Sequence, residues 1–172
     1  MIRSLSVCLA YYENPSMLDF QIRAFCLMPR ELRKGFELVV VDDGSPTRPA
    51  ADVIRALGFK IPFGFQLYRM GVDIPWNQDA CRNLAVSKAT HEWVLLTDMD
   101  HIAPWMTIRA LRLKPLNHKD AHKFARVNAP DFEPYKPHPN SWCMTRKLYD
   151  TVGGYDERYA GIYGTDGPFG AG

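Results

Sequence analysis

The sequence predicts an α/β fold, a three-layer α/β/α sandwich around a mainly parallel sheet, and three observations predict it. Short apolar runs rich in valine and leucine recur along the chain, as in strands buried on both faces. Segments with apolar residues at helical spacing separate them, so the order reads βαβαβαβα, which a right-handed parallel sheet satisfies. Three of the runs also end in polar or acidic residues, and an open parallel sheet gathers such ends at one edge, where ligands bind.

Each element has its own signal. Leu5 to Ala10 is apolar and turns polar at Tyr12-Glu13-Asn14, so the first strand covers about residues 4–10. Pro15 opens a helix through about Met28, with Met17, Leu18, Ile22, Phe25 and Cys26 at helical spacing. The second strand, about 37–42, carries the consecutive valines Val39, Val40 and Val41 and is stopped by Gly44-Ser45-Pro46. Pro49 starts a helix with Val53, Ile54 and Leu57 on one face, closed by Gly58. Phe65 to Arg69 alternates as a third strand. Asn77 or Asp79 caps the next helix, whose apolar stripe is Ala80, Cys81, Leu84, Ala85 and Ala89. Trp93 to Thr97 is the fourth long strand, a further helix follows Pro104, and shorter strands are expected near 122–127 and 140–145. Residues 128–139 form a loop that alternates proline with Tyr, Phe and His; most such loops are connectors, but one beside a site can contact an acceptor.

Composition excludes several classes. The chain of 172 residues is sized for one domain with a real core. Its formal charge of +2 gives no electrostatic case for nucleic acid. A modest basic cluster, Arg109, Arg112, Lys114, His118, Lys119 and Lys123, reads as a solvated helix face and loop, and peripheral contact with anionic lipid stays open. Cys8, Cys26, Cys81 and Cys143 are too dispersed for a zinc site or a disulfide framework, and Cys8 and Cys26 read as core. No run of about 18 apolar residues suggests a membrane span, so a reduced, cytoplasmic compartment is expected.

The chemistry concentrates at strand ends. Asp98 and Asp100 leave the fourth strand together as D-x-D, and two ionised carboxylates at i and i+2 are costly to bury unpaired. At a strand's carboxyl end they can share a hard cation such as Mn²⁺ or Mg²⁺, which prefers oxygen ligands and bridges to phosphates. Alone, such a pair more often marks a solvated turn. The second strand ends alike in Asp42-Asp43-Gly44-Ser45, and that repetition makes a site of it.

These segments together resemble the family 2 type glycosyltransferases of the GT-A fold, and the resemblance covers nearly the whole chain. Ser6-Val7-Cys8-Leu9-Ala10-Tyr11-Tyr12-Glu13 is similar to the family's opening S-V-I-I-P-T-Y-N strand, and Val40-Val41-Asp42-Asp43-Gly44-Ser45 to its V-V-D-D-G-S segment. Cys81-Arg82-Asn83-Leu84-Ala85 resembles A-R-N-x-G, and the D-x-D follows at the expected distance. Val152-Gly153-Gly154-Tyr155-Asp156-Glu157 resembles G-G-[FY]-D-E, and Gly164-Thr165-Asp166-Gly167 follows it.

The resemblance implies a metal-dependent enzyme that moves a sugar from a nucleotide-diphosphate donor, a UDP-sugar by preference, to a glycan or other hydroxyl acceptor with inversion. Residues about 1–101 would form the nucleotide-sugar-binding half and about 102–172 the acceptor half. Ala10, Tyr12 and Glu13 would lie at the nucleotide, and Asp43 would accept hydrogen bonds from a uracil-like base. Arg82 would approach the nucleotide or its phosphates. Asp98 would bind ribose or metal-bound water, and Asp100 would ligate the metal. Asp166 would be the base for the incoming hydroxyl, with Asp156 and Glu157 as runners-up, and Trp142 a candidate to stack on a sugar face. Read plainly, Asp156-Glu157 is a turn or helix cap, Arg82 a salt bridge on its helix and Asp43 a turn cap.

Several positions depart from the family pattern. Ala10-Tyr11 replaces the usual P-T, and Thr165-Asp166 offers one carboxylate where two are usual. His101 follows the D-x-D directly, where a hydrogen-bonded bystander is the commoner reading. Members of the family usually continue past this point with helices over the acceptor site, so a minimal or truncated acceptor half is expected. Two other classes stay open: a sugar nucleotidyltransferase, which would need a Gly-rich basic loop where Tyr11 to Pro15 stand, and a non-catalytic nucleotide- or glycan-binding domain.

Overall fold

The computed structural model describes residues 2–128 and 131–161. The chain runs β1 (Leu5–Tyr11), α1 (Pro15–Cys26), α2 (Arg30–Arg33), β2 (Phe36–Asp42), α3 (Ala50–Ala56), β3 (Gly64–Arg69), α4 (Gln78–Lys88) and β4 (Trp93–Thr97). It continues with α5 (Trp105–Leu113), β5 (His122–Lys123), β6 (Arg126–Val127), β7 (Pro134–Tyr135), β8 (Trp142–Thr145), α6 (Arg146–Thr151) and a 3₁₀ turn at Glu157–Tyr159. One six-stranded sheet has the order β3-β2-β1-β4-β8-β5, and β6 pairs with β7 as a separate hairpin. The four strands β3, β2, β1 and β4 are mutually parallel, and β8 runs antiparallel to β4 and β5.

The expected three layers are present, and the pleat explains them. Leu5, Val7, Leu9 and Tyr11 of β1 turn to one face, packing with Leu18, Ile22 and Phe25 of α1, Val53 of α3 and Ile108 and Leu111 of α5. Cys8 turns to the other face with Val39, Val41, Val94 and Leu96, and there meets α4 and α6. The residues that α4 lays on the sheet are Cys81, Ala85, Val86 and Ala89, small enough for close approach. On β2 every residue is buried, as its valine run implies, whereas β3 is half-exposed at the sheet edge.

The short elements α2 and β7 carry no periodicity and were not expected. A four-residue helix after Pro29 is one turn, fixed by Leu32 in the core. The basic cluster also needs a correction. Arg112 is buried, donating from Nε to the Arg3 carbonyl (2.5 Å), from Nη2 to the Lys34 carbonyl (2.6 Å) and from Nη1 to the Leu32 carbonyl. Its fork joins the entry to β1 with the exit of α2, so it does not belong to a solvated face. Arg112→Met keeps the stem and strands three carbonyls, and is expected to cost on the order of 3 kcal/mol in urea unfolding.

Candidate active site

In the order β3-β2-β1-β4 the chain moves outward from β1 to β3 and then returns to the other side of β1. The gap beyond the carboxyl ends of β1 and β4 is therefore a topological switch point, where helices diverge and leave a crevice. A cavity of about 280 Å³ lies there. Ala10, Tyr11, Tyr12 and Asn14 line it from the end of β1, and Asp43 from the end of β2. Trp76 and Gln78 line it from the entry to α4, and Asp98, Met99 and Asp100 from the exit of β4.

The two aspartates that end β2 have different tasks. Asp42 accepts from Ser45 N at Oδ1 (2.8 Å) and from Ala50 N at Oδ2 (2.7 Å), so it closes the turn and starts α3. The turn cap is thus Asp42, and Asp43 is released for the crevice. Asp43 is buried, its Oδ2 accepts from Asn77 N (3.2 Å), and its Oδ1 is buried with no hydrogen-bond partner among the described residues. A buried acceptor left open is costly unless a ligand donates to it. Gly44 has φ +76°, and a Cβ there would stand 2.9 Å from Asp73 Cα, so the loops after β2 and β3 can close only over glycine.

Burial pushes the Asp43 carboxyl up to about 6 from an ordinary 3.8. Between those values the folded chain keeps a proton that the unfolded chain has released. This contribution is therefore full at acid pH and is lost as pH rises through the folded value. Asp43→Asn is expected to remove that part of the slope and to melt higher than the wild type at pH 7. Paired thermal melts from pH 4 to 7 measure the difference.

Glu13 stands at φ +46°, left-handed and non-glycine, with a carboxylate that accepts from the Thr47 hydroxyl, Thr47 N (2.9 Å) and Arg48 N (3.0 Å). Those bonds, the Thr47 hydroxyl first, hold its carboxyl down to about 2. Glu13 does not line the cavity; it pins the loop after β2 against the end of β1. Tyr12 is half-exposed at the rim, its hydroxyl 3.3 Å from Asp73 Oδ2.

Arg82 is 1 % exposed. Its Nη1 donates to Asp79 Oδ1 (3.0 Å), and its Nη2 to Gln78 Oε1 (2.8 Å) and Asp98 Oδ1 (2.6 Å). It lies inside a buried ion cluster of α4 and reaches the crevice through Asp98. Asn83 beside it binds the late segment: its Oδ1 accepts from Tyr149 (2.5 Å) and Tyr155 N (3.0 Å), and its Nδ2 donates to the Tyr155 carbonyl (2.9 Å) and Glu157 Oε1 (2.8 Å). Gly154 at φ +67° belongs to that contact, because a Cβ there would come within 2.8 Å of Asn83 Oδ1.

Asp98 is engaged at both oxygens, by Arg82 at Oδ1 and by His138 Nε2 at 3.4 Å from Oδ2. Asp100 is exposed beside it, with no hydrogen bond or ion pair among the described residues. The pair suits a hard cation carried in with phosphate: the Asp100 carboxylate is open to ligate it, Asp98 could reach it through a water, and the diphosphate would supply the remaining ligands. Among the described residues no group of three His, Cys, Asp or Glu side chains is placed to hold a metal alone.

The other candidates fall away from the crevice. Asp156 caps the 3₁₀ turn through Arg158 N (3.1 Å) and pairs with the Arg158 guanidinium, and Glu157 is held by Asn83. Trp142 is half-buried, with Lys123 Nζ 4.2 Å from its ring. Asp166 lies outside the described residues. Trp76 and His138 were not legible as site residues. Trp76, at φ +54°, shows as an outlier only in the backbone, and His138 stands in the proline-rich loop, 40 residues beyond Asp98, which it meets only through folding.

The model of the glycosyl transferase family 2 matches residues 6–151. Solved structures share the fold at low identity. The mannosyltransferase PcManGT from Pyrobaculum calidifontis, in complex with GDP-Man and Mn²⁺, is 18 % identical with a TM-score of 0.70, over 91 % of this chain and 48 % of its own. Residues 1–349 of S. aureus TarS, in complex with UDP-GlcNAc, are 15 % identical with a TM-score of 0.63, over 95 % of this chain and 51 % of that one. The same TarS fragment with UDP gives 15 % and 0.64, over 92 % and 52 %. The chain thus spans about half the length of these structures. No curated protein matches it. No helix among the described residues is long and apolar enough to cross a membrane. With its family 2 segments running in order from the first strand to α6, and its acids at the switch point of the expected sheet, the chain belongs to glycosyl transferase family 2.

Proposed function

We propose that this chain is a GT-A domain that transfers a sugar from a nucleotide-diphosphate donor, a UDP-sugar by preference, to a hydroxyl of a glycan or other acceptor, with inversion. The observation that carries the reading is the convergence of three carboxylates, Asp43, Asp98 and Asp100, on one crevice at the switch point. The open Oδ1 of Asp43 suits a base that presents an N–H, and the half-exposed Tyr12 and Ala10 lie beside it. Support for a nucleotide sugar also comes from PcManGT with GDP-Man and TarS with UDP-GlcNAc, which differ in base.

In the reaction proposed, the acceptor oxygen bonds to the anomeric carbon as the bond to the β-phosphate oxygen breaks. The nucleoside diphosphate leaves, and the hydroxyl proton passes to a carboxylate, for which Asp166 is the candidate. Asp98, fixed by Arg82, holds the ribose or a water, and Asp100 would hold Mn²⁺ or Mg²⁺. A bound cation supplies positive charge where the leaving diphosphate develops negative charge. Residues about 1–101 serve the donor and about 102–172 the acceptor.

Calorimetric titration of UDP and GDP with and without Mn²⁺ tests the reading. Mn²⁺-dependent UDP binding supports it. A GDP preference keeps the transferase and overturns the UDP preference, since guanine also presents an N–H to Asp43, and no binding of either nucleotide overturns the donor site.

A further inference from the structure

His138 lies outside every family 2 segment, in the proline-rich stretch before β8, yet it faces the D-x-D. Its Nδ1 accepts from Asn140 N (3.2 Å), so that nitrogen carries no proton. The ring proton is then on Nε2, which faces Asp98 Oδ2 at 3.4 Å. Ser141 Oγ stands 3.5 Å from Nδ1 and 2.9 Å from Thr97 Oγ1, the hydroxyl of the residue just before Asp98. On its other side the ring meets His101 edge to face, with centroids 3.6 Å apart. His101 is itself held, its Nε2 by Arg126 Nη1 (2.8 Å) and its carbonyl by the buried Gln21 (2.7 Å).

Arg82 alone grips one oxygen of Asp98 and leaves the carboxylate plane free to turn. A second polar edge near the other oxygen biases the plane, and here that edge is Nε2 of His138, on a residue of the acceptor half of the chain. It stands 3.4 Å away, at ion-pair distance and not in a formed hydrogen bond. We propose that His138 is a positioning residue of the donor site: its Nε2–H edge, 3.4 Å from Oδ2, orients Asp98. The role rests on the reading of Asp98 as facing the nucleotide sugar or its metal. His138 acts through Asp98 and does not itself touch the donor. Outer partners of this kind set the orientation of the groups that touch a ligand, and their loss weakens binding without removing a contact.

Three variants separate the role from mere packing. Glutamine sets its amide nitrogen near the position of Nε2, asparagine reaches only that of Nδ1, and leucine donates nothing. Long-range ¹H–¹⁵N spectra of the ligand-free wild type are expected to place the ring proton on Nε2. UDP or GDP affinity in Mn²⁺ is expected to fall on the order of tenfold in His138→Leu and His138→Asn and to return in His138→Gln. Ligand-free melting is expected to shift alike in all three. A proton on Nδ1, wild-type affinity in His138→Leu, or a loss in His138→Gln equal to that in His138→Asn overturns the role. Wild type that binds neither nucleotide overturns the donor site and this role together, whereas binding unchanged by His138→Leu overturns this role alone.

Discussion

Arg82→Met is expected to destabilise the chain by about 3–5 kcal/mol, the usual cost of removing one partner from a buried ion cluster. The guanidinium serves Asp79, which is 6 % exposed at its side chain, and Asp98, which is 21 % exposed. Methionine fills the stem but takes the guanidinium away from both carboxylates. Arg82→Lys is expected to recover only part of the loss, because one ammonium cannot span Gln78, Asp79 and Asp98 as a planar fork does. Urea denaturation without nucleotide measures this directly. An arginine reserved for phosphates would show the reverse, near wild-type stability with a loss confined to nucleotide affinity. The cluster makes Arg82 the support of Asp98, and any loss of nucleotide binding in the variant is expected to pass through that carboxylate.

What the sequence made legible follows from where each signal is local. The strands β1, β2 and β4 are continuous apolar runs because both faces are buried, and such runs read the same in any context. Helices α1, α3, α4 and α5 announce themselves by spacing and by a proline or asparagine at their start. The one-turn α2 and two-residue β7 hold no period, since tertiary contacts fix them. Arg112 read as a surface charge for a similar reason. Its three carbonyl partners, of Arg3, Leu32 and Lys34, are remote in sequence, and charge alone does not tell a solvated arginine from a buried fork.

The site divides along the same line. That Asp43, Asp98 and Asp100 share a crevice was legible, because acids at the ends of parallel strands converge whatever the loops do. How Asp42 and Asp43 divide their work was not, since both stand before Gly44-Ser45 and only the turn decides which carboxylate closes it. Glu13 belongs to the same class. Its place at the strand end was legible, and its capture by Thr47 and Arg48 depends on the loop that β2 brings beside it. His138 reaches Asp98 only because β8 pairs antiparallel with β4, which lays the preceding loop over the strand's exit.

The pair Asp98 and Asp100 therefore offers the sharpest functional test. Asp100→Ala is expected to lose the Mn²⁺-dependent part of nucleotide affinity, about a hundredfold if its carboxylate is a direct ligand, while melting within about 0.5 kcal/mol of wild type. Stability should hold because the side chain is exposed and bonds to none of the described residues. Asp98→Ala is expected to lose both, since it also leaves Arg82 short of an anion inside the fold. Titration with nucleotide in Mn²⁺ and in excess chelator, beside ligand-free melts, separates the two. In chelator, wild type and Asp100→Ala should bind alike, because the base and ribose contacts are the same in both. A residual difference there would assign Asp100 to the nucleotide itself, and an undiminished Mn²⁺ effect would remove it from the metal. The contrast follows from the geometry: of two acids two residues apart at one strand exit, one is built into the fold and the other is left to the ligand.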